Sequence, residues 1–307
     1  MELEKLDDLV KLAGKKGKKR LVVAAAEDRH ILVAIKNAAE NQLITPVLVG
    51  DKTAISQLCE EIGYDLNGIE LHDTRDQETS CSLSVKLVKE GKAEILMKGM
   101  VPTATLLKAV LEKENGLRNR DVLSHFALIE IPGYRKLIGI TDAAINIQPD
   151  LKEKVCIIQN AVEAFHWLGH NKPGVAILAP VETINPKITA TMDAAALYVM
   201  CLRNQIHGCT IDGPLALDNA VSEEAARHKG IEGTVAGNAD ILVVPDLNSG
   251  NILYKSLIFL AGGTAAAVVM GADVPIVLTS RADSGRSKFM SIALAAAMDH
   301  SPAATSV

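Results

Sequence analysis

Hydroxyl, guanidinium and carboxylate side chains are concentrated in residues 279–288. This stretch follows the apolar run 274–278, which is typical of a buried strand, and precedes 289–298, which has an Ala-rich helical pattern. The first N–H groups of a helix have no partner within the helix, and a guanidinium binds two oxygens of one anion. The stretch therefore predicts an anion site with Ser280 and Arg281 as ligands.

Three other stretches place polar or turn residues at the end of a predicted strand. Lys98 and Gly99 close one apolar run, and the segments 212–219 and 245–251 follow two later strands. An open α/β sheet binds its ligands at the carboxyl ends of its strands. The four stretches together therefore predict one site that is built from several loops.

Simpler explanations stay open for these stretches. Asp283 or Ser284 can be the N-cap of the helix that follows, with Arg281 exposed to solvent beside it. Lys98 can be an exposed lysine in an ordinary turn. The hypothesis of a site therefore depends on how many such stretches meet, and not on any one of them.

Short apolar runs alternate with amphipathic segments along the whole chain. The runs 21–25 and 174–179 have the length of buried strands, whereas 30–41 and 151–168 have helical periodicity. This alternation is typical of an α/β fold, in which helices cover a mainly parallel sheet.

Composition and charge exclude several classes of protein. Only 3% of the residues are aromatic although 48% are hydrophobic, so small aliphatic side chains build the core, as in helix-covered sheets. The net charge of −5 argues against nucleic acid or an anionic membrane as a partner. The longest uncharged apolar stretch, 257–272, is shorter than the roughly 20 residues that span a bilayer. We therefore expect a soluble protein.

The cysteines and the amino-terminal residues indicate the compartment. Five cysteines form an odd set without C-x-x-C spacing, which argues against a disulfide framework and against a zinc site. Residues 1–9 are rich in Glu and Asp and lack the apolar segment of a secretory signal. We expect a cytoplasmic protein whose cysteines are mostly buried, with a catalytic cysteine as the less favoured alternative.

Several motifs along the chain are more specific than any single residue. They are L-M-K-G-M-V-P-T-A-T-L-L-K-A-V-L at 96–111, D-G-P-L-A-L-D at 212–218, A-G-N-A-D-I at 236–241, P-D-L-N-S-G-N-I-L-Y-K at 245–255 and L-T-S-R-A-D-S at 278–284. T-D-A-A-I-N at 141–146 and L-K-E-K at 151–154 complete the set. With these motifs the chain resembles the phosphate acetyl/butyryltransferase family over nearly its whole length, and the butyryl branch most closely.

The resemblance implies a two-domain α/β/α sandwich like that of the isocitrate and isopropylmalate dehydrogenases, with the active site in the interdomain cleft. It also implies that the chain after the Ser-Arg pair returns to the first domain, which periodicity does not reveal. A polar connector near residues 146–150 precedes a long helical pattern and marks one boundary. The predicted domains are therefore 1–148 with 280–307, and 149–279.

The resemblance further implies that an acyl-CoA reacts with inorganic phosphate to give an acyl phosphate and CoA. For the butyryl branch the reaction is butanoyl-CoA + phosphate = butanoyl phosphate + CoA, a step of short-chain fatty acid metabolism. Direct attack without an acyl-enzyme is implied as well, with no metal and no cofactor beyond CoA as a substrate. We also expect a homo-oligomer, a dimer or larger.

Site residues are carried over from the family only where this sequence matches its motifs. Ser280 and Arg281 match the family's Ser-Arg pair. In the family's acetyltransferases an aspartate that follows this pair is assigned as the base that deprotonates CoA, and this sequence has Ser287 at that position. Asp283 is the only carboxylate in the stretch and is the third catalytic candidate. The substrate-binding candidates are Lys98, Gly99, Thr141, Asn146, Asp246, Asn248, Gly250, Asn251, Lys255 and Ser284.

Other assignments remain open from the sequence. One alternative is a phosphate acetyltransferase that acts on acetyl-CoA, and another is a non-catalytic protein of the same fold that binds CoA or another metabolite. A dehydrogenase on this fold needs a nicotinamide site and a cluster of aspartates for a metal, whereas the aspartates of this chain are scattered. The donor for the carbonyl oxyanion is Asn248, Asn251 or a backbone N–H.

Overall fold

The computed structural model describes residues 3–280 and 282–298, so Arg281 lies outside the described residues. The chain forms two compact units. The terminal unit consists of Leu6–Arg120 and Ala266–Val307, and the central unit consists of Met1–Lys5 and Asp121–Ala265. No helix in the described part of the chain is long and apolar enough to cross a membrane.

The first part of the terminal unit alternates helices with strands, as the periodicity predicts. Its elements are α1 (Asp7–Lys16), β1 (Lys19–Ala24), α2 (Arg29–Glu40), β2 (Ile44–Gly50), α3 (Lys52–Glu61), β3 (Glu70–Asp73), α4 (Gln77–Lys89), β4 (Ile95–Lys98) and α5 (Thr103–Val110). The strands lie in the order β3-β2-β1-β4, and each neighbouring pair is parallel. Because Ala24 is paired with Lys98, the carboxyl ends of β1 and β4 lie side by side.

The central unit has the same kind of architecture. Its elements are β5 (Ser124–Glu130), β6 (Ile138–Thr141), α6 (Leu151–Trp167), β7 (Gly174–Leu178), α7 (Thr189–Leu202), β8 (Thr210–Leu215), α8 (Leu217–Val221), α9 (Glu223–His228), β9 (Ile241–Val243) and α10 (Leu247–Phe259). The strands lie in the order β5-β6-β9-β7-β8, with β5 and β6 antiparallel and the other pairs parallel. The predicted α/β class is therefore confirmed.

The chain then enters the terminal unit again through β10 (Thr264–Met270), β11 (Ile276–Val277) and α11 (Gly285–Ala297). β11 is parallel to β4 and antiparallel to β10. α11 packs against α1, α2 and β11, and most of its residues from Ser287 onward are buried. Its Ala-rich sequence allows this burial because small apolar side chains occur on every face of the helix.

The domains 1–148 with 280–307 and 149–279 stay a prediction, and the two compact units begin and end at other residues. β5 and β6 belong to the central unit because β6 pairs with β9. β11 belongs to the terminal unit because it pairs with β4. Such pairings join residues far apart in the sequence, and hydrophobic periodicity does not reveal them.

Candidate active site

A cavity of about 210 Å³ lies in the terminal unit, where β1, β4 and β11 end. Residues that follow these strands form its wall together with the first turns of α2 and α11. The lining residues are Asp28, His30, Ile31, Lys98, Gly99, Met100, Thr279, Ser280 and Lys288. Three of the predicted site residues, Lys98, Gly99 and Ser280, thus come together at adjacent strand ends.

Two helices begin beside this cavity, and each begins with a polar cap. Asp28 Oδ1 accepts a hydrogen bond from Ile31 N at 3.0 Å at the start of α2. Ser284 Oγ accepts a hydrogen bond from Ser287 N at 3.0 Å at the start of α11. The remaining N–H groups of the first turns and the helix dipoles favour an anion in this region.

The turn after β4 requires glycine. Gly99 N donates to Ala24 O at 2.8 Å, and Met100 N donates to Ala25 O at 2.6 Å. A Cβ at position 99 would overlap Ala25 O and lie 2.6 Å from Ala24 O. The close contact of the two chain segments fixes the backbone beside Lys98, as the predicted tight turn requires.

Two buried lysines line the cavity. Lys98 is 9% exposed, and its Nζ donates to Gly99 O at 3.2 Å and to Val101 O at 3.0 Å. Lys288 is 4% exposed, and its Nζ donates to Asp283 O at 2.5 Å. Among the residues that the structure describes, no carboxylate forms an ion pair with Lys288. A buried cation held by backbone carbonyls is stabilised further by an anion in the cavity.

Asp283 closes the loop that follows β11. Ser280 N donates to Asp283 Oδ2 at 2.6 Å, and Asp283 N donates to Ser280 O at 3.2 Å. Of the two capping residues that the sequence left open, Ser284 is the one that caps α11. The hydroxyl of Ser287 lies 3.1 Å from Ser284 Oγ and is part of the same cap. The prediction for Arg281 falls outside the described residues.

The other predicted binding residues belong to the central unit: Thr141, Asn146, Asp246, Asn248, Gly250, Asn251 and Lys255. The first two of these hold the loop after β6. Thr141 Oγ1 donates to His125 O at 2.9 Å, and Asn146 Nδ2 donates to Leu123 O at 2.8 Å. Both side chains therefore have partners within their own unit.

The buried carboxylate of Asp142 organises the same loop. It accepts hydrogen bonds from the backbone N–H groups of Ala144, Ile145 and Asn146 at 2.9, 3.1 and 3.1 Å. Because the carboxylate replaces missing backbone partners, the loop is fixed without regular secondary structure.

The start of α10 packs against this loop. Asp246 Oδ1 accepts a hydrogen bond from Ser249 N at 2.9 Å and caps the helix, while Asn251 Nδ2 donates to Ala143 O at 3.3 Å. A Cβ on Gly250 would lie 2.5 Å from the carbonyl oxygen of Asp142, so this position also requires glycine. Asn248 and Lys255 are exposed. A substrate-binding role for the central-unit residues stays a prediction.

Sequence reasoning did not name three of the cavity's titratable residues as site candidates. Asp28 and His30 follow β1, and Lys288 lies in the first turn of α11, four residues after Ser284. The signal that could have found them is the start of a helix, because helical side chains point back toward the amino end of their helix. The strand ends alone did not indicate these residues.

Within the described part of the chain, no cysteine lines the cavity. Cys59, Cys81 and Cys209 are buried. Burial raises the pKa of Cys81 to about 11 and the pKa of Cys209 to about 12. A thiol that stays protonated at neutral pH is a poor nucleophile, so these two cysteines are unsuited to covalent catalysis.

The family model described as "Phosphate acetyl/butaryl transferase" matches residues 5–83 and 78–296. The chain belongs to this family. It is 50% identical over 292 residues to the probable phosphate butyryltransferase of Bacillus subtilis, a match that covers 95% of this chain and 97% of that protein. It is 43% identical over 291 residues to the phosphate acetyltransferase of Thermotoga maritima, covering 95% of this chain and 98% of that protein.

A solved structure agrees with these relatives. The crystal structure of a branched-chain phosphotransacylase from Enterococcus faecalis has a TM-score of 0.81 and 35% sequence identity, and the match covers 91% of this chain and 98% of that chain. The family resemblance is therefore confirmed, and the protein is an acyltransferase enzyme. Because the relatives are named for butyryl and for acetyl groups, the family leaves the acyl chain open.

Proposed function

We propose that this acyltransferase moves a short-chain acyl group, butyryl in preference to acetyl, between CoA and inorganic phosphate. The observation that carries the proposal is the cavity in which the buried ammonium groups of Lys98 and Lys288 lie beside Ser280. Phosphate suits such a cavity because its oxygens form charge-assisted hydrogen bonds with ammonium groups. In this proposal Arg281, from the Ser-Arg pair, also binds phosphate, through two parallel hydrogen bonds.

The chemistry that follows is a direct displacement. A phosphate oxygen attacks the thioester carbonyl carbon, a C–O bond forms, and the C–S bond breaks as CoA thiolate leaves. Phosphate is already an anion near neutral pH, so positioning contributes more than activation by a base. The negative charge that develops on the carbonyl oxygen needs a preorganised hydrogen-bond donor, and we assign this role to a lysine of the cavity.

Two observations support attack without an acyl-enzyme. No cysteine is among the lining residues that the structure describes, and the hydroxyl groups among them are those of Thr279 and Ser280. Among the described lining residues, the side chain best suited to activate a hydroxyl is that of His30, and the described hydrogen bonds include none between His30 and either hydroxyl. A nucleophilic serine or threonine requires such a base within hydrogen-bond reach.

The preference for butyryl groups is the finer part of the proposal. It rests on the motifs at 96–111 and 278–284, through which the chain resembles the butyryl branch most closely. We expect kcat/KM to rise from acetyl- through propionyl- to butyryl-CoA by at least about 10-fold, since one methylene in an apolar pocket contributes roughly 1–3 kcal/mol. The measurement is phosphate-dependent thiol release with each acyl-CoA. A higher kcat/KM for acetyl-CoA would contradict the butyryl assignment and leave the reaction class intact.

A substitution at Asp283 tests its predicted role as a base. Asn retains an oxygen that accepts the Ser280 N–H, so we expect Asp283→Asn to keep the loop and to react at a rate close to wild type at every pH. The measurement is the rate of acyl transfer from acyl phosphate to CoA across a range of pH. A large loss that shrinks as the pH rises would instead assign the thiol proton to Asp283.

The proposal also contains the finer expectations about fold, assembly and compartment. It retains the sandwich of the isocitrate and isopropylmalate dehydrogenases, the absence of a metal or cofactor requirement, and a cytoplasmic location. A homo-oligomer is supported by Tyr198, Val199 and Leu202 on α7, whose exposed fractions are 39%, 50% and 65%. Light scattering on the purified protein measures the oligomeric state, and a monomer at micromolar concentration would contradict the expectation.

A further inference from the structure

The proposed reaction includes a proton transfer at the thiol of CoA, in addition to the binding of phosphate. When an acyl phosphate reacts with CoA, the thiol must lose its proton before or during attack, and in the other direction the departing thiolate regains one. If the proposed function holds, a proton acceptor must therefore lie beside the reacting thiol. Ser287 stands where the family's acetyltransferases have an aspartate for this task, and its hydroxyl belongs to the cap of α11.

Few side chains of the cavity can accept a proton near neutral pH. Of the described lining residues, the two lysines donate hydrogen bonds to backbone carbonyls, and the hydroxyls of Thr279 and Ser280 are weak bases. Asp28 is a carboxylate, but its Oδ1 accepts the Ile31 N–H as the N-cap of α2. Asp283 is not a lining residue, and its Oδ2 accepts the Ser280 N–H.

His30 has the features that the task requires. It is the second residue of α2, it is exposed, and it lines the cavity together with Ser280. Among the described residues its ring nitrogens have no hydrogen-bond partner. Imidazole is also the side chain best suited to proton transfer near neutral pH. We propose that the imidazole of His30 accepts the thiol proton of CoA.

The charged groups that share the cavity with His30 support this chemistry. Asp28 is the N-cap of α2 and precedes His30 by two residues, Lys98 ends β4, and Lys288 lies on α11. The two ammonium groups stabilise the thiolate that forms when the proton leaves, and they hold the phosphoryl group of the acyl phosphate. The site thus combines a base with two cations, which stabilise the thiolate and the phosphoryl group.

The step balances as a general-base reaction. The S–H bond of CoA breaks and its proton moves to a ring nitrogen of His30, while the sulfur attacks the carbonyl carbon of the acyl phosphate. A C–S bond forms, the C–O bond to phosphorus-bound oxygen breaks, and phosphate leaves. The imidazolium then releases its proton to solvent. In the opposite direction, imidazolium protonates the departing thiolate.

His30→Gln in the full-length protein tests the proposal. We expect kcat/KM to fall about 100-fold in both directions, because both cross the same transition state. The loss becomes smaller as the pH rises, and equally so in both directions, since the thiol then ionises without help. His228→Gln is the control, because His228 is exposed at the end of α9 in the central unit and does not line the cavity. It should leave the rates unchanged.

Chemical rescue separates proton transfer from a structural role. Free imidazole should restore much of the activity of His30→Ala, and a side chain that only supports the fold gives no such recovery. The proposal is overturned if His30→Gln reacts at the wild-type rate, if it raises only the KM for CoA without rescue, or if Asp28→Asn causes the larger, pH-dependent loss. Phosphate-dependent activity of the wild-type enzyme is measured first, so failure of the proposed function is recognised separately.

Discussion

Lys288→Met should lower kcat/KM for phosphate by about 10³-fold while the protein stays folded. Methionine matches the length of the buried lysine stem but lacks the ammonium group. The cavity then loses one of the two cations that hold phosphate before and during attack. The variant no longer buries a charge, which offsets the loss of the hydrogen bond to Asp283 O, so unfolding transitions should change little. The measurement is the phosphate dependence of thiol release at saturating butyryl-CoA.

Lys36→Met is a matched control for this variant. Lys36 lies on α2 of the same unit, and its Nζ, like that of Lys288, donates to backbone carbonyl oxygens, here Ile62 O at 3.1 Å and Gly63 O at 3.0 Å; it also lies 3.9 Å from Glu40 Oε1. It does not line the cavity, so its replacement should leave the phosphate KM unchanged. The role assigned to Lys288 is contradicted if Lys288→Met and Lys36→Met behave alike, or if only the KM for CoA changes.

Gly99→Ala should destabilise the terminal unit by about 3 kcal/mol or more and abolish most of the activity. The added Cβ would overlap Ala25 O and lie 2.6 Å from Ala24 O. Both are backbone atoms, of the last residue of β1 and of the residue that follows it. That backbone has little freedom to move because Gly99 N and Met100 N are hydrogen-bonded to it. Any movement that relieves the overlap displaces Lys98 as well. Thermal unfolding and turnover measured on the same preparation test both effects.

Gly14→Ala is the control for a general glycine effect. Gly14 lies within α1, and an added Cβ there meets nothing within 4 Å. Alanine in a helix interior is favoured over glycine by roughly 0.5–1 kcal/mol, so this variant should be as stable as wild type or slightly more stable. A Gly99→Ala protein that unfolds at the wild-type temperature would show that the turn after β4 is not as rigid as its hydrogen bonds indicate.

The meeting of Lys98, Gly99 and Ser280 could be predicted from the sequence. Each residue follows an apolar run, and the carboxyl ends of neighbouring parallel strands share one edge of a sheet. This argument needs only the strand positions and the parallel sheet. It requires β4 and β11 to be neighbours, as they are, but it does not require the full order of the strands.

His30 and Lys288 could not be predicted in the same way. Their places in the cavity depend on the residue at which α2 and α11 begin and on the rotation of each helix about its axis. A shift of one residue rotates a side chain by about 100°, and helix boundaries read from a sequence are rarely that accurate. The bounds of the two units also could not be predicted from periodicity, because the pairing of β6 with β9 joins segments about 100 residues apart.

Thr141 and Asn146 illustrate a different difficulty. From the sequence, polar residues at the end of a strand look the same whether they bind a ligand or hold a loop. In the structure, both side chains are hydrogen-bonded to backbone carbonyls, and Asp142 binds the N–H groups between them. That both side chains hold the loop emerges only from these contacts, and a substrate-binding role for them stays a prediction.

The claim that phosphate itself is the nucleophile is tested most directly with ¹⁸O-labelled phosphate. Purified enzyme is mixed with butyryl-CoA in the presence and absence of the labelled phosphate, and thiol and acyl phosphate are measured together. We predict no thiol release without phosphate, and with phosphate one acyl phosphate for each thiol, carrying all of the label. Thiol release without phosphate, with free butyrate or an acylated protein as the product, would contradict direct attack at this site.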